Sequence, residues 1–151
     1  MDDITKLFAA ADPSCAVLVV KHKYQPAEAK KLNGKIQQPY PRKNWSSVVL
    51  WNCEHPKNRC LQPEFVNEVS GRYLHRFTWL ENSDIGALSP EWNFLAGWDE
   101  ADARQPEPKL IHYTSGGPYF EEYRNIDFAD LWLKEYESFM GRPFSDADYL
   151  T

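Results

Sequence analysis

His112 and the glycine pair Gly116-Gly117 are the residues whose types and spacing could do chemistry, and they stand in Lys109 to Phe120, K-L-I-H-Y-T-S-G-G-P-Y-F. An imidazole can ligate a metal ion. A Gly-Gly pair lets the backbone take positive φ angles and leaves its amides uncovered, so an anion such as a phosphate can approach closely. Leu110 and Ile111 read as a short strand that delivers His112 to the mouth of that loop. Taken alone, the same residues read as a histidine followed by an ordinary Gly-Gly-Pro turn.

A second stretch, Asn44 to Asn52 (N-W-S-S-V-V-L-W-N), strengthens the chemical reading. The apolar strand Val48 to Trp51 is bracketed by Asn44 and Asn52 and preceded by Ser46 and Ser47. Such side chains donate and accept hydrogen bonds at once, which suits a hydroxyl-rich ligand, and Trp45 offers an apolar face for a sugar ring. The same spacing is met by a buried strand whose Asn and Ser residues satisfy neighbouring turns.

The elements that must position these groups follow in order. Asp2 or Asp3 is a plausible N-cap for a short helix with Ile4, Leu7 and Phe8 at helical spacing, ending near Asp12-Pro13. Cys15 to Val20 is a continuous apolar run, β-branched in its second half, and predicts a strand buried on both faces. From Lys21 to Lys43 the chain is basic, holds Pro26, Pro39 and Pro41, and reads as a long functional loop whose charge suits an anionic ligand, or as a solvated one. Pro63 to Val69 predicts a helix stopped by Gly71, with a second through Leu74 and Phe77 that could aim His75 at the site. Asp84 to Phe94 gives two extended pieces joined across Pro90, and Asp99 to Pro108 a surface loop. Phe128, Leu131, Trp132, Tyr136 and Phe139 mark a helix with Gly141 at its stop, expected to pack on the sheet, with a polar, mobile tail beyond Pro143.

Composition bounds the function class. With 151 residues, 42% of them hydrophobic, the chain can build one core and one domain. A net charge of −5, without a basic face beyond Lys21 to Lys43, disfavours a nucleic-acid surface. No apolar run is long enough to span a bilayer and Met1-Asp2-Asp3 has no signal-peptide pattern, so a cytoplasmic protein is expected. Cys15, Cys53 and Cys60 form no disulfide framework, and Cys53, His55 and Cys60 match no common zinc spacing. Glu121-Glu122 lies in a polar run and reads as solvated, so a hydrolase with paired carboxylates finds no support.

Three stretches in one order carry a resemblance: Asn44 to Asn52, L-S-P-E-W-N at Leu88 to Asn93, and H-Y-T-S-G-G-P-Y-F at His112 to Phe120. Together they resemble the second half of a bacterial glycosyltransferase of the GT-A fold, similar to family eight, which includes glycogenin and lipopolysaccharide galactosyltransferases. The resemblance implies an α/β fold: residues 1–141 as the C-terminal portion of a GT-A-like domain, a partial fold lacking the N-terminal nucleotide-binding half, and residues 142–151 as a polar tail. It implies transfer of a sugar from a nucleotide-diphosphate donor to a saccharide or glycolipid acceptor. His112 matches the ligand of a divalent metal ion, manganese or magnesium. Gly116, Gly117 and Tyr119 match the donor-binding turn. Asn44, Trp45, Ser46, Ser47, Trp92 and Asn93 match the sugar site, and Lys21, His22 and His75 are candidates for acceptor or phosphate contact by position alone.

The chain also departs from the family's pattern. Pro90 and Trp92 stand one residue closer than in the family's turn, Gly117 occupies the place of a phosphate-binding lysine, and no Asp-x-Asp motif occurs in a suitable context. Retaining transferases of this kind need no obvious protein nucleophile, so no catalytic residue is assigned. A sheet cut at the missing half exposes an unpaired edge, which predicts self-association or a complementing half. The alternative is a non-catalytic remnant that binds a carbohydrate or a partner chain.

Overall fold

The continuous apolar run does form the central strand. In the computed structural model, which describes residues 2–23, 29–30, 36–37, 40–98 and 107–150, a one-turn helix α1 (Thr5–Phe8) leads into β1 (Val17–Val19). Two-residue strands β2 (Ala29–Lys30) and β3 (Ile36–Gln37) pair antiparallel with each other. β4 (Val49–Trp51) then lies antiparallel to β1 and β5 (Ile85–Ala87) parallel to it on the other side, giving a sheet of order β4-β1-β5. β6 (Phe94–Leu95) and β7 (Ile111–His112) form a separate parallel pair, Phe94 opposite Ile111 and Leu95 opposite His112. Helices α2 (Pro63–Glu68) and α3 (Gly71–His75) precede β5, and α4 (Ala129–Met140) follows β7. The chain is therefore a small mixed α/β protein.

Alternation along β1 explains why its residues are apolar without a break. Leu18 and Val20 face a core of Leu7, Cys15, Leu50, Leu88 and Trp92, while Val17 and Val19 face Phe77, Leu80 and Ile85. Both faces are covered, so both sets must be hydrophobic. Gly86 on β5 is fixed by closeness: a Cβ there would lie 2.9 Å from both Cys15 Sγ and Leu18 Cγ.

Several sequence expectations are corrected. α1 stops at Phe8, because Asp12 turns the chain by accepting from the Ser14 amide and hydroxyl at 2.9 and 2.6 Å. At its start no side chain caps the helix, and Asp3 instead accepts from the Thr5 amide at 2.9 Å. Trp45–Ser47 is a 3-10 turn rather than the entry of a strand, set by Asn44 in the left-handed region at φ 62°. Gly71 opens α3 instead of stopping α2: Val69 is extended, and the Ser70 hydroxyl accepts from the Tyr73 amide at 3.2 Å as the cap. Most of the Lys21 to Lys43 loop and residues 99–106 lie outside the described residues.

α4 is placed as its period predicts, with Gly141 left-handed at its end (φ 67°). Its rings do not turn to the three-stranded sheet. Trp132 meets Tyr119 at 5.6 Å and Phe144 at 5.6 Å, and Phe139 stands 89% exposed.

Residues 142–150, read in the sequence as a mobile polar tail, fold back onto α4. Phe144 packs edge-on against Trp132, Tyr136 and Tyr149, and the Leu150 amide donates to the Tyr119 carbonyl at 2.8 Å. Asp148 closes the latch, accepting from Arg142 at 2.5 Å and from the Ser145 hydroxyl at 2.7 Å. Arg142, then Ser145, hold the Asp148 carboxyl well below the usual carboxylate range. A depressed folded value means that the stabilisation is present above the unfolded value, about 3.9, and is lost as pH falls below it. The Leu150 amide should therefore lose hydrogen-exchange protection on acidification through that range. Asp148→Asn should show the lowered protection already at neutral pH, with no further acid step.

Candidate functional site

The turn at Trp45–Ser47 is where separate segments meet. Its approach is held by Arg42, whose Nη1 donates to the carbonyls of Arg76 (2.6 Å) and Phe77 (3.1 Å) and whose Nη2 donates to Asn82 Oδ1 (2.6 Å). Arg42 and Asn44 both adopt left-handed backbone, φ 60° and 62°. Non-glycine residues enter that region at a cost of about 1–3 kcal/mol each, and they persist where surrounding contacts fix them, often at functional sites. Here the Arg42 bonds to the end of α3 supply the fixing.

Four bonds gather the sequence-predicted sugar residues around this turn. Trp45 Nε1 donates to the His22 carbonyl at 3.0 Å, tying the indole to the chain just after β1. Ser46 Oγ and His75 Nδ1 are 2.8 Å apart. Asn93 Nδ2 donates to Ser47 Oγ at 2.7 Å and lies 3.0 Å from His22 Nε2. Asn93 is wholly buried, and its Oδ1 has no hydrogen-bond partner. A buried, half-satisfied amide is costly, and such groups need an explanation of their own. Lys21 places its ammonium 5.8 Å from the centre of the Trp45 ring.

Trp92 is the member that does not join them. It is 5% exposed within the core beside Leu18 and Leu88, with the Lys109 ammonium 5.2 Å from its ring. Its packing in the core holds the backbone just before Asn93.

The predicted donor group sits on the second sheet. β7 carries His112 opposite Leu95, two residues beyond Asn93, so strand geometry brings the two backbones within about 10 Å. His112 is half-buried and its Nδ1 is enclosed without a partner. Burial lowers its pKa, which favours the neutral imidazole that a metal ion requires. Gly116, Gly117 and Pro118 are buried, and a Cβ at Gly117 would fall 2.4 Å from Tyr119 Cε1. The space beside Gly117 is thus taken by the Tyr119 ring. One ligand position therefore fits a divalent metal, but no three His, Cys, Asp or Glu side chains gather in a way that could hold one among the described residues. That statement includes Cys53, His55 and Cys60.

Sequence reasoning noted the basic stretch ending at Lys43 but did not single out Arg42, or Arg76 beyond it. The signal available for Arg42 was Pro41-Arg42-Lys43-Asn44, a basic pair between a proline and an asparagine at the end of a long loop. A surface concavity lined by Glu121, Glu122, Arg124 and Tyr149 contains none of these residues.

The chain is similar to Protein CDI of Arabidopsis thaliana, 47% identical over 148 residues, which are 97% of this chain and 57% of that protein. More than two fifths of that relative therefore has no counterpart here. No protein-family model matches the chain, and no solved structure does. No helix among the described residues is long and apolar enough to cross a membrane.

Proposed function

We propose that this chain is the saccharide-binding part of a nucleotide-sugar-dependent glycosyltransferase of the GT-A type, acting together with a donor-binding portion outside it. The observation that carries the reading is Asn93, which draws Ser47 and His22 together from 46 and 71 residues away. Ser46, His75 and Trp45 join the same surface. Hydroxyl and amide groups beside an indole face suit a sugar, whose ring stacks while its hydroxyls exchange hydrogen bonds. The order of the three family-like stretches supports the same reading.

In this reading the residues divide the work by position. Ser47, His22 and Ser46 orient acceptor hydroxyls, and Trp45 supplies the apolar face. His112 offers one neutral nitrogen toward a divalent metal, which when bound would draw charge from a departing diphosphate. The remaining ligands are not among the described residues, so this chain's own share is binding and orientation. The outer strands β4 and β5, with Trp51 42% exposed on β4, are the edges on which a complementing half or a second copy would pair.

A second reading, a carbohydrate-binding module without transfer activity, is favoured because no three His, Cys, Asp or Glu side chains gather as a metal site among the described residues. Calorimetric titration with uridine diphosphate, with and without manganese, separates the two. Manganese-dependent binding that disappears in His112→Ala supports the transferase. Saccharide binding without uridine diphosphate binding supports the module, and binding of neither overturns both.

A further inference from the structure

We propose that Lys21 and Arg42, set against the Trp45 ring, with Arg76 beside Arg42, bind the oxyanion of an acidic saccharide, a carboxylate or a phosphate ester; this rests on the reading of the Trp45 surface as a saccharide site. Two cations address one indole, the Lys21 ammonium at 5.8 Å and the Arg42 guanidinium at 5.9 Å from its centre. All the hydrogen bonds Arg42 makes go to neutral acceptors: two carbonyls and the Asn82 amide oxygen. Arg76 lies close enough that, after burial, its charge is the next cause lowering the Arg42 pKa. Lys43, between the two left-handed residues, is 8% exposed and rests on the Tyr40 ring at 4.7 Å.

Among the described residues no ion pair joins any of these four cations to a carboxylate, although the whole chain carries a net charge of −5. Like charges gathered without a counter-charge cost stability, and partly buried ones cost more. The same surface holds two enclosed N–H donors without acceptors, Arg76 Nε and Asn44 Nδ2. What these groups lack is negative charge and hydrogen-bond acceptors, and an oxyanion provides both. Its place beside Ser46, Ser47 and Trp45 makes the carrier a sugar. A nucleic acid would need a wider basic face than these four cations provide.

The test is titration of the 151-residue chain with two matched pairs: a uronic-acid oligosaccharide against its carboxyl-reduced neutral form, and a hexose phosphate against the hexose. The expected result is binding of the charged member tighter by about tenfold or more in at least one pair, as charge-assisted hydrogen bonds give. The preference should shrink with added salt and be lost in Lys21→Gln and Arg42→Gln. Lys21 is exposed, so its variant keeps the fold even if Arg42→Gln, which loses three anchoring bonds, does not. The pair that shows the preference identifies the oxyanion. Equal binding of charged and neutral members overturns this inference and leaves the saccharide site standing. A preference that survives in Lys21→Gln and in a folded Arg42→Gln also overturns it. Binding of none of the four sugars overturns the saccharide site as well.

Discussion

Phe77→Ala is expected to destabilise the chain by about 3–5 kcal/mol, a large share of the roughly 5–15 kcal/mol available to a domain of this kind. Phe77 is 1% exposed and fills one face of the sheet with Ala16, Val17, Val19, Leu80 and Ile85. Its ring also meets Trp51 at 6.1 Å and Trp79 at 5.7 Å, so truncation removes partners from two indoles at once. Backbone conformation adds to the argument. Phe77 sits at φ 51°, where an aromatic residue is rare, and packing of the ring is what holds it there. With the ring gone, the local backbone can relax toward ordinary helical angles and carry its carbonyl away from Arg42. Denaturant unfolding should therefore show a lower midpoint, and on the proposed function the Trp45 surface should lose saccharide affinity through Arg42, which donates to the Phe77 carbonyl. Phe77→Leu keeps most of the volume and should cost well under half as much. If alanine and leucine variants unfold together, ring packing is not what holds this turn.

How far this arrangement could be read from the sequence depends on whether a feature is local. The run Cys15 to Val20 announces a strand covered on both faces because such a strand tolerates no polar residue, and both cores bear that out. α4 is legible from its period and from Gly141. The tail was not, because Phe144 and Tyr149 stand among charged and small residues with no period, and only α4 makes a surface for them. Gly71 was misread because glycine marks a helix end in most settings, whereas here Ser70 caps a new helix directly in front of it.

The candidate site divides in the same way. Asn44, Ser46, Ser47 and Asn93 were visible as polar residues at the ends of apolar stretches, a pattern within a few residues. Their meeting was not visible, since it depends on the left-handed turn at Asn44 and on the 3-10 turn Pro90–Asn93 that brings Asn93 to Ser47 and His22. Trp92, by contrast, is placed in the sugar site by the resemblance alone, and its neighbours make it core. An aromatic residue looks the same in sequence whether its face is covered or open. The two residues of the dipeptide Trp92-Asn93 have different surroundings, Trp92 in the hydrophobic core and Asn93 in the polar cluster.

Asn93→Ala should lower stability and saccharide affinity together, and the comparison with Ser47→Ala shows why both effects belong to the site. Asn93 is wholly buried, and removing its amide leaves Ser47 Oγ and His22 Nε2 each without the group that joins them. The variant loses the hydrogen bonds of a buried side chain, each worth about 0.5–1.5 kcal/mol net, together with its packing. Ser47 is exposed, and its hydroxyl keeps a second partner, donating to the Asn44 carbonyl at 2.6 Å. Ser47→Ala nevertheless takes the acceptor from the buried Asn93 Nδ2, so it too should lower stability, by about 1–3 kcal/mol. If the cluster reads sugar hydroxyls, Ser47→Ala still weakens saccharide binding, because its oxygen is the accessible end of the pair. A double-mutant cycle on binding should then show coupling between the two positions of about 0.5–3 kcal/mol, the range for residues in one hydrogen-bonded network. A purely structural Asn93 gives a different pattern: stability falls in Asn93→Ala, while Ser47→Ala binds saccharide as the parent chain does and the binding cycle closes to zero. The unpaired Oδ1 sharpens the distinction, since a ligand hydroxyl that reached it would supply the donor it lacks, and saccharide should then raise the thermal midpoint of the parent chain more than that of Asn93→Ala.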